Sequence, residues 1–451
     1  MMRAFEVVLL VADAVMLALL MISPQRSRCG HLALVPIAAA IVQLLMEGAR
    51  WQLVPAYALG VVLFAALLVR AVRPAGGTGS KDAAEPVGAG SAGGRRRVRR
   101  VVVAGLGLVV MGGAVAVPLA VPVFRFPEPT GPFAIGTLTY HWVDEARAEI
   151  FTADPGDRRE LMAQIRYPAE ADPSAPRTPY LENAEAVTPA LGRVLQVPGF
   201  VLGHLRYVTT NAVRSAPALP GRYPVLVFLA GRMGLRQVNT FQIEELASRG
   251  YVIVALDQPY AAARVIFPDG RASDYDPRMN NRAFKVAHIP HLARDVTFAL
   301  NRLVDIDRND SRLQGRLDLG LAGLFGHSLG GVVGAQACMM EPRLRACLLE
   351  DAFMPDEVVR TGLRQPTMWI TRDAATMRLE RHRAGDWPET EIEEHHRTMR
   401  AVFETLPGEG HFVQVPGMLH LDMTDGPLLA PPLLDRPSDQ FPEVLLESTR
   451  K

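Results

Sequence analysis

The sequence predicts an α/β fold, a mostly parallel sheet covered by helices on both faces, preceded by an all-α transmembrane region. Three observations carry this expectation. From Val225 onward, short and fully apolar runs alternate with helical stretches, the pattern of strands buried on both faces and joined by crossover helices. One of these runs, beginning at Leu321, breaks into the glycine-bounded turn Gly326-His327-Ser328-Leu329-Gly330 and continues as small and apolar residues of helical length. Before Arg125 the chain instead holds four long apolar stretches, each near or at the ~20 residues a helix needs to cross a bilayer.

A chain of 451 residues has room for more than one unit. We place the boundary at a membrane region, 1–125, followed by a folded domain, 126–451. Charge supports the division. Of 48 basic and 47 acidic residues, 13 and 5 respectively fall between Met1 and Arg125, leaving 35 and 42 for the remainder. A basic, apolar first part joined to an acidic remainder fits a membrane anchor on a folded domain. The basic residues near Arg95 adjoin an apolar span, so a membrane and not nucleic acid is the expected partner. Three cysteines without CxxC or mixed Cys/His spacing argue against structural zinc. Cys338 and Cys347 are the only possible disulfide pair in the C-terminal part, and the preferred reading of them is two buried small residues.

In order, the apolar stretches cover about 5–22, 31–46, 53–72 and 101–124. Asp13 interrupts the first, and the second is short. A cleaved signal peptide is the rival for the first, but no small-x-small site follows it. Arg26 and Arg28 lie in the first loop, and Arg70, Arg73, Lys81 and the arginines between Arg95 and Arg100 flank the third. By the positive-inside rule both loops are cytoplasmic, which places the N-terminus and everything after Phe124 outside. Residues 73–100 read as a flexible Gly/Ala/Arg-rich loop. Pro118, Pro122, Pro127, Pro129 and Pro132 stiffen the exit of the fourth span.

Beyond Ile135, residues 137–143 and 147–151 suggest a β-hairpin, and 161–167 a third strand stopped by Pro168. The Pro-rich stretch 168–189 has no assignment. Strands follow at 225–229 and 251–256, with a helix at 240–248 between them. Residues 261–289 form a polar excursion, and 291–306 an amphipathic helix. After the Ser328 turn come strands at 344–349 and 367–371, a charged helix at 389–405 and a strand at 411–415. In parallel sheets of this kind the site lies beyond the carboxyl ends of the strands, and Ser328 is at such an end.

The Gly-x-Ser-x-Gly turn is the spacing of a nucleophile elbow. A serine projecting from a strained strand-to-helix turn needs small neighbours two residues away, hence glycine. The helix that follows offers its partly positive end to a developing oxyanion, with the Leu329 amide as first donor. A serine hydroxyl needs a histidine to take its proton and an acid to orient that histidine, and in elbow proteins both follow in the chain. Two acids end strands there, Asp351 and Asp373. Glu350 adjoins Asp351, but successive strand residues point opposite ways. The downstream histidines are His382, His395, His396, His411 and His420. The first three lie among Glu and Arg and read as a solvated helix face. His420, in a turn beyond the last strand, is the preferred base.

Several stretches together resemble the platelet-activating factor acetylhydrolase-like esterases of the α/β-hydrolase superfamily: Leu161-Met-Ala-Gln-Ile-Arg-Tyr-Pro168, Pro224-Val-Leu-Val-Phe-Leu-Ala-Gly231, Leu246-Ala-Ser-Arg-Gly-Tyr-Val-Ile-Val-Ala255, Gly326-His-Ser-Leu-Gly-Gly331, Leu349-Glu-Asp-Ala-Phe-Met-Pro355 and Met418-Leu-His-Leu-Asp-Met-Thr-Asp425. They cover about 136–429. The resemblance implies an α/β-hydrolase fold, with Ser328 as nucleophile, Asp351 rather than Asp373 as acid and His420 as base. The oxyanion donors it implies are the backbone amides of Leu329 and Arg232. One departure stands out: the family's usual His-Gly is Ala230-Gly231 here, followed by Arg232 in place of a small apolar residue. That arginine blocks the site, clamps an anionic group such as a phosphate or carboxylate, or turns to solvent.

The resulting expectation is a membrane-anchored serine ester hydrolase with its catalytic domain outside the cytoplasm. It needs no metal or organic cofactor and acts on a short-chain acyl ester, small or lipid-like. An acyltransferase using the same residues, and a non-catalytic receptor or scaffold on a decayed hydrolase fold, are the alternatives.

Overall fold

A computed structural model describes residues 2–22, 30–72, 90–384, 388–429 and 445–449. The chain divides into two compact units between Phe124 and Arg125.

The first unit is helical: α1 (Ala4–Ile22), α2 (Leu34–Glu47), α3 (Val54–Val72) and α4 (Gly90–Ala120). Leu9, Leu10, Ala56 and Ala114 form one interior cluster, and Met16, Leu17, Leu59 and Leu63 another. Outward-facing residues such as Val61, Val62, Val101, Leu106 and Val109 leave a broad apolar surface, which water does not favour and lipid does. Three segments, Ala4–Met21, Trp51–Val69 and Val101–Ala120, are long and apolar enough to cross a membrane. The expected second span is not among them. With 14 residues, α2 rises about 21 Å, short of the ~30 Å hydrocarbon core. The expected loop 73–100 also changes: 73–89 lie outside the described residues, and from Gly90 the backbone is already α4. Arginine is a good helix former, so a helix seeded in the span extends back through it.

The second unit begins with β1 (Ala134–Ala148), β2 (Arg158–Ala169), β3 (Arg177–Pro179), α5 (Ala184–Val194), β4 (Thr209–Arg214), β5 (Tyr223–Leu229), α6 (Thr240–Ser248) and β6 (Val252–Asp257). A small hairpin, β7 (Arg264–Ile266) and β8 (Ala272–Asp274), leads to α7 (Arg282–Asn309), β9 (Leu317–His327), α8 (Leu329–Met340), β10 (Ala346–Glu350) and α9 (Asp356–Thr361). The unit continues with β11 (Thr367–Arg372), α10 (Ala374–Ala384), α11 (Glu389–Glu404), β12 (Gly410–Val415), α12 (Gly426–Leu429) and β13 (Leu445–Thr449). The main sheet has 11 strands in the order β13-β12-β11-β10-β9-β5-β6-β2-β1-β4-β3.

The six strands from β12 to β6 run parallel. Their fully buried residues, among them Val227, Leu229, Val254, Leu324, Leu349 and Trp369, form the main core with α7, α8 and α11. Register aligns the strand ends: Leu229 pairs with Gly326, Glu350 with His327, and Arg372 with Val415. The turns after these strands therefore share one edge of the sheet.

Two local expectations change. Residues 147–151 form no second hairpin arm. Instead β1 is one long strand, and its antiparallel partner is β2, with Leu138 opposite Ile165 and Trp142 opposite Leu161. The longer pairing buries both aromatic and branched faces, which a five-residue arm could not. Pro168 does not stop β2 but pairs opposite Ile135. Cys338 and Cys347 are also not separate small residues. They form a disulfide between α8 and β10, with Cα atoms 6.8 Å apart. A helix packing on its own sheet brought within bridging reach two residues whose spacing carried no signal.

Candidate active site

The site is built from turns at the carboxyl ends of β5, β9, β10 and β12. Ser328 follows β9 with φ 55° and ψ −121°, a left-handed strain paid for by its surroundings. Its amide donates to the Glu350 carbonyl at 2.8 Å, and its carbonyl accepts from Val332 at 3.0 Å. The flanking glycines are required by contact. A Cβ on Gly326 would lie 2.5 Å from the Gly330 carbonyl oxygen, and one on Gly330 would lie 2.0 Å from that of Leu229. Ser328 is thereby wedged at the start of α8, and its hydroxyl makes no hydrogen bond among the described residues.

The turn after β5 lies directly against it. A Cβ on Gly231 would sit 3.1 Å from the Ser328 Cβ and 3.2 Å from His327 Nδ1. Among the described residues, the amides of Leu329 and Arg232 donate to no protein acceptor. Two unpaired donors near one serine suit an oxygen that gains negative charge. Arg232 is exposed, and its guanidinium donates to Asn280 Oδ1 at 2.6 Å and to Tyr275 Oη at 3.4 Å.

Of the candidate acids, Asp351 is the one brought to His420: His420 Nδ1 lies 2.5 Å from Asp351 Oδ2. Asp373 is occupied elsewhere, accepting from Thr376 N, Thr376 Oγ1 and Gly417 N. Glu350 points the opposite way and accepts from Gln242 Nε2 at 2.8 Å. Asp351 is buried, with φ 49°. Burial raises its pKa, but hydrogen bonds from His395 and His420 overcome this and hold the carboxyl well below its usual range. Burial pushes Glu350 up to about 7. The two adjacent carboxyls thus differ because Asp351 is held by two histidines, whereas buried Glu350 has one neutral donor and lies beside the Asp351 charge.

His420 is held from three sides. Its amide donates to Glu380 Oε1 at 3.0 Å. Its carbonyl accepts from His327 Nε2 at 3.0 Å, and the two rings lie 4.5 Å apart. Burial lowers the His327 pKa to about 3, so that ring is neutral. The turn carrying His420 is anchored to the start of α6, where Asp425 accepts from the amides of Thr240 and Phe241 at 3.0 and 3.1 Å and Asn239 Nδ2 donates to the Met423 carbonyl at 2.7 Å.

Of the remaining histidines, His382 is exposed on α10 and His411 lies beside Glu409. His395 is not on a solvated face. It is buried, and its Nε2 lies 3.2 Å from Asp351 Oδ1 and 3.1 Å from Thr371 Oγ1. His396 Nε2 donates to the Arg372 carbonyl at 2.9 Å. The charges around His395 hid a helical stripe, Ile392, His395, Met399, Val402 and Phe403, that faces the core. That stripe was the available signal. Arg372, whose Nε lies 2.6 Å from Asp351 Oδ2 and which also pairs with Glu380, had none.

This sheet, elbow and Asp–His pair define the chain as an α/β-hydrolase-fold protein. Comparison with known proteins narrows the likeness. Residues 120–281 match the family model described as platelet-activating factor acetylhydrolase, isoform II. The platelet-activating factor acetylhydrolase of Gallus gallus is 22% identical over 296 residues, 55% of this chain and 66% of that protein. That of Canis lupus familiaris is 24% identical over 283 residues, covering 55% and 60%. The match thus spans less than two thirds of these relatives' length. A ferulic acid esterase from Streptomyces cinnamoneus aligns with a TM-score of 0.55 and 28% identity, over 68% of this chain and 80% of that one. The chain is similar to esterases of the platelet-activating factor acetylhydrolase kind, as the sequence motifs implied.

Proposed function

We propose that the chain is a membrane-anchored serine ester hydrolase, with residues 126–451 as its catalytic domain. The contact that carries this reading is Asp351 Oδ2 to His420 Nδ1 at 2.5 Å, beside a strained serine with two unpaired amides near it. In the mechanism, Ser328 Oγ attacks the ester carbonyl carbon while His420 Nε2 takes its proton. The carbonyl oxygen becomes an oxyanion held by the amides of Leu329 and Arg232. The intermediate collapses, the bond to the alcohol oxygen breaks, and His420 returns the proton to that oxygen. Water, deprotonated by His420, then attacks the acyl carbonyl carbon, the bond to Ser328 Oγ breaks, and His420 returns the proton to Oγ as the free acid leaves. Asp351 keeps His420 in the tautomer with Nδ1 protonated and stabilises the imidazolium.

The substrate class is a short-chain acyl ester, with a lipid-like leaving group favoured by the apolar helices of the first unit and by the named activity of the curated relatives. The catalytic domain lies outside the cytoplasm. Two observations support that side. The arginines between Arg95 and Arg100 precede the apolar part of α4, which by the positive-inside rule starts it in the cytoplasm. A disulfide within the second unit suits an oxidising compartment.

The test uses the full chain in detergent with 4-nitrophenyl esters of two to eight carbons. Wild type should turn over the shorter esters, and Ser328→Ala should lose several orders of magnitude in kcat. Retained turnover in that variant removes the mechanism. Product analysis with an added alcohol separates hydrolysis from acyl transfer.

A further inference from the structure

We propose that His395 is a positioning residue for the Asp351–His420 pair, a neutral buried imidazole whose Nε2–H occupies one carboxylate oxygen so that the other is presented to His420. The proposal rests on the mechanism above and names a fourth residue in it.

The hydrogen bonds divide cleanly between the two oxygens. Oδ1 of Asp351 receives Thr371 Oγ1 at 3.0 Å, the Arg372 amide at 3.3 Å and His395 Nε2 at 3.2 Å. Oδ2 receives His420 Nδ1 at 2.5 Å, with Arg372 Nε 2.6 Å away. Proton count assigns the tautomer. The Thr371 hydroxyl has one hydrogen, directed to Oδ1 at 3.0 Å and to the Arg372 carbonyl at 3.3 Å. Its oxygen is then an acceptor, as is Oδ1, and both lie within 3.2 Å of His395 Nε2. A lone pair on Nε2 would face two acceptors. A hydrogen there satisfies both.

Charge explains why this ring must stay neutral. The groups on Asp351 are Thr371 and Arg372 on β11, His395 on α11 and His420 on its turn, and Glu380 on α10 pairs with Arg372. His396, next to His395, donates to the Arg372 carbonyl. Asp351 and Glu380 carry two negative charges and Arg372 one positive. The imidazolium that forms on His420 closes the count at zero. A second cation at His395 would oppose it. Burial disfavours that cation and lowers the His395 pKa.

The experiment has two arms on the full chain in nanodiscs. In the first, His395→Leu and His395→Gln are compared for kcat, KM and the pH profile of 4-nitrophenyl acetate hydrolysis. Leucine fills the space without a donor, and glutamine supplies one. His395→Leu should lose about 10- to 100-fold in kcat, the order expected for a misplaced catalytic group, with KM changed less than about twofold. With one of the three donors to Oδ1 removed, Asp351 carries a less dispersed charge and favours the imidazolium more strongly, so the acid limb of kcat/KM should move to higher pH. His395→Gln should recover most of kcat and the wild-type limb. Unchanged kcat and limb in His395→Leu overturn the proposal, and so does an equal loss in both variants. In the second arm, 15N-histidine spectra of wild type are read from pH 5 to 9. His395 should keep the Nε2–H tautomer throughout. An Nδ1–H tautomer, or protonation of His395 within that range, overturns the proposal without reference to turnover. Absent turnover in wild type, with the expected spectra, would defeat the hydrolase reading and leave the His395 assignment standing.

Discussion

Replacing Glu350 by Gln tests whether a buried, half-satisfied carboxyl beside the elbow sets the stability of the second unit across neutral pH. Glu350 is 1% exposed, its Oε1 accepts from Gln242, and its Oε2 has no partner. Its carbonyl holds the Ser328 amide. Burial raises its pKa from 4.5 to about 7. At ~1.36 kcal/mol per pH unit, that difference corresponds to about 3 kcal/mol. Because the folded-state pKa lies above the unfolded one, this contribution is complete below pH 4.5 and is lost as pH rises through 7. Glutamine keeps the acceptor for Gln242 and cannot ionise. Wild type and Glu350→Gln should therefore differ little at pH 5, and the variant should be about 3 kcal/mol more stable at pH 8.5. Urea unfolding of the full chain in detergent, followed by the fluorescence of buried Trp142 and Trp369, measures the difference at each pH. A gap of the same size at both pH values, or a wild type more stable at pH 8.5, refutes the reasoning.

Asp351→Asn should lower kcat on 4-nitrophenyl acetate by about 10⁴-fold while Ser328 still reacts slowly with a phosphonate probe, because an amide presents its NH₂ or a weaker acceptor to His420 Nδ1 and no longer enforces the productive tautomer. Reducing the Cys338–Cys347 disulfide, which closes a loop with a sequence separation of 9, should cost about 3 kcal/mol by loop entropy, read as a lower Tm with reductant that Cys338→Ser/Cys347→Ser reproduces without it. Arg159 is fully buried between Glu149 and Asp295, at 3.0 and 2.7 Å. Arg159→Leu removes the ion-pair partner of buried Glu149 and leaves Asp295 with Arg147 and Gln258, and should cost about 3 kcal/mol in urea unfolding, whereas removing an exposed pair by Arg302→Ala should cost under ~1 kcal/mol.

Local pattern was enough for the alternation of strand and helix from Val225 onward, the Ser328 turn and the position of candidate acids at strand ends. Each of these follows from hydrophobic period, glycine spacing and the reach of a few neighbouring residues. Tertiary packing decided the rest. Asp351 and Asp373 end adjacent strands in similar settings, and only the turn of β12 toward β10 selects which carboxyl meets His420. His395 looked solvated among its charged neighbours because burial depends on what α11 packs against, not on the residues beside it. The Cys338–Cys347 bond required α8 to lie on β10, and the pairing of β1 with β2 required a register no single strand contains. Sequence encodes which elements form through contacts between near neighbours. The side chains that converge on Asp351 do so through space, across strands and helices far apart in the chain, where no short-range pattern reports them.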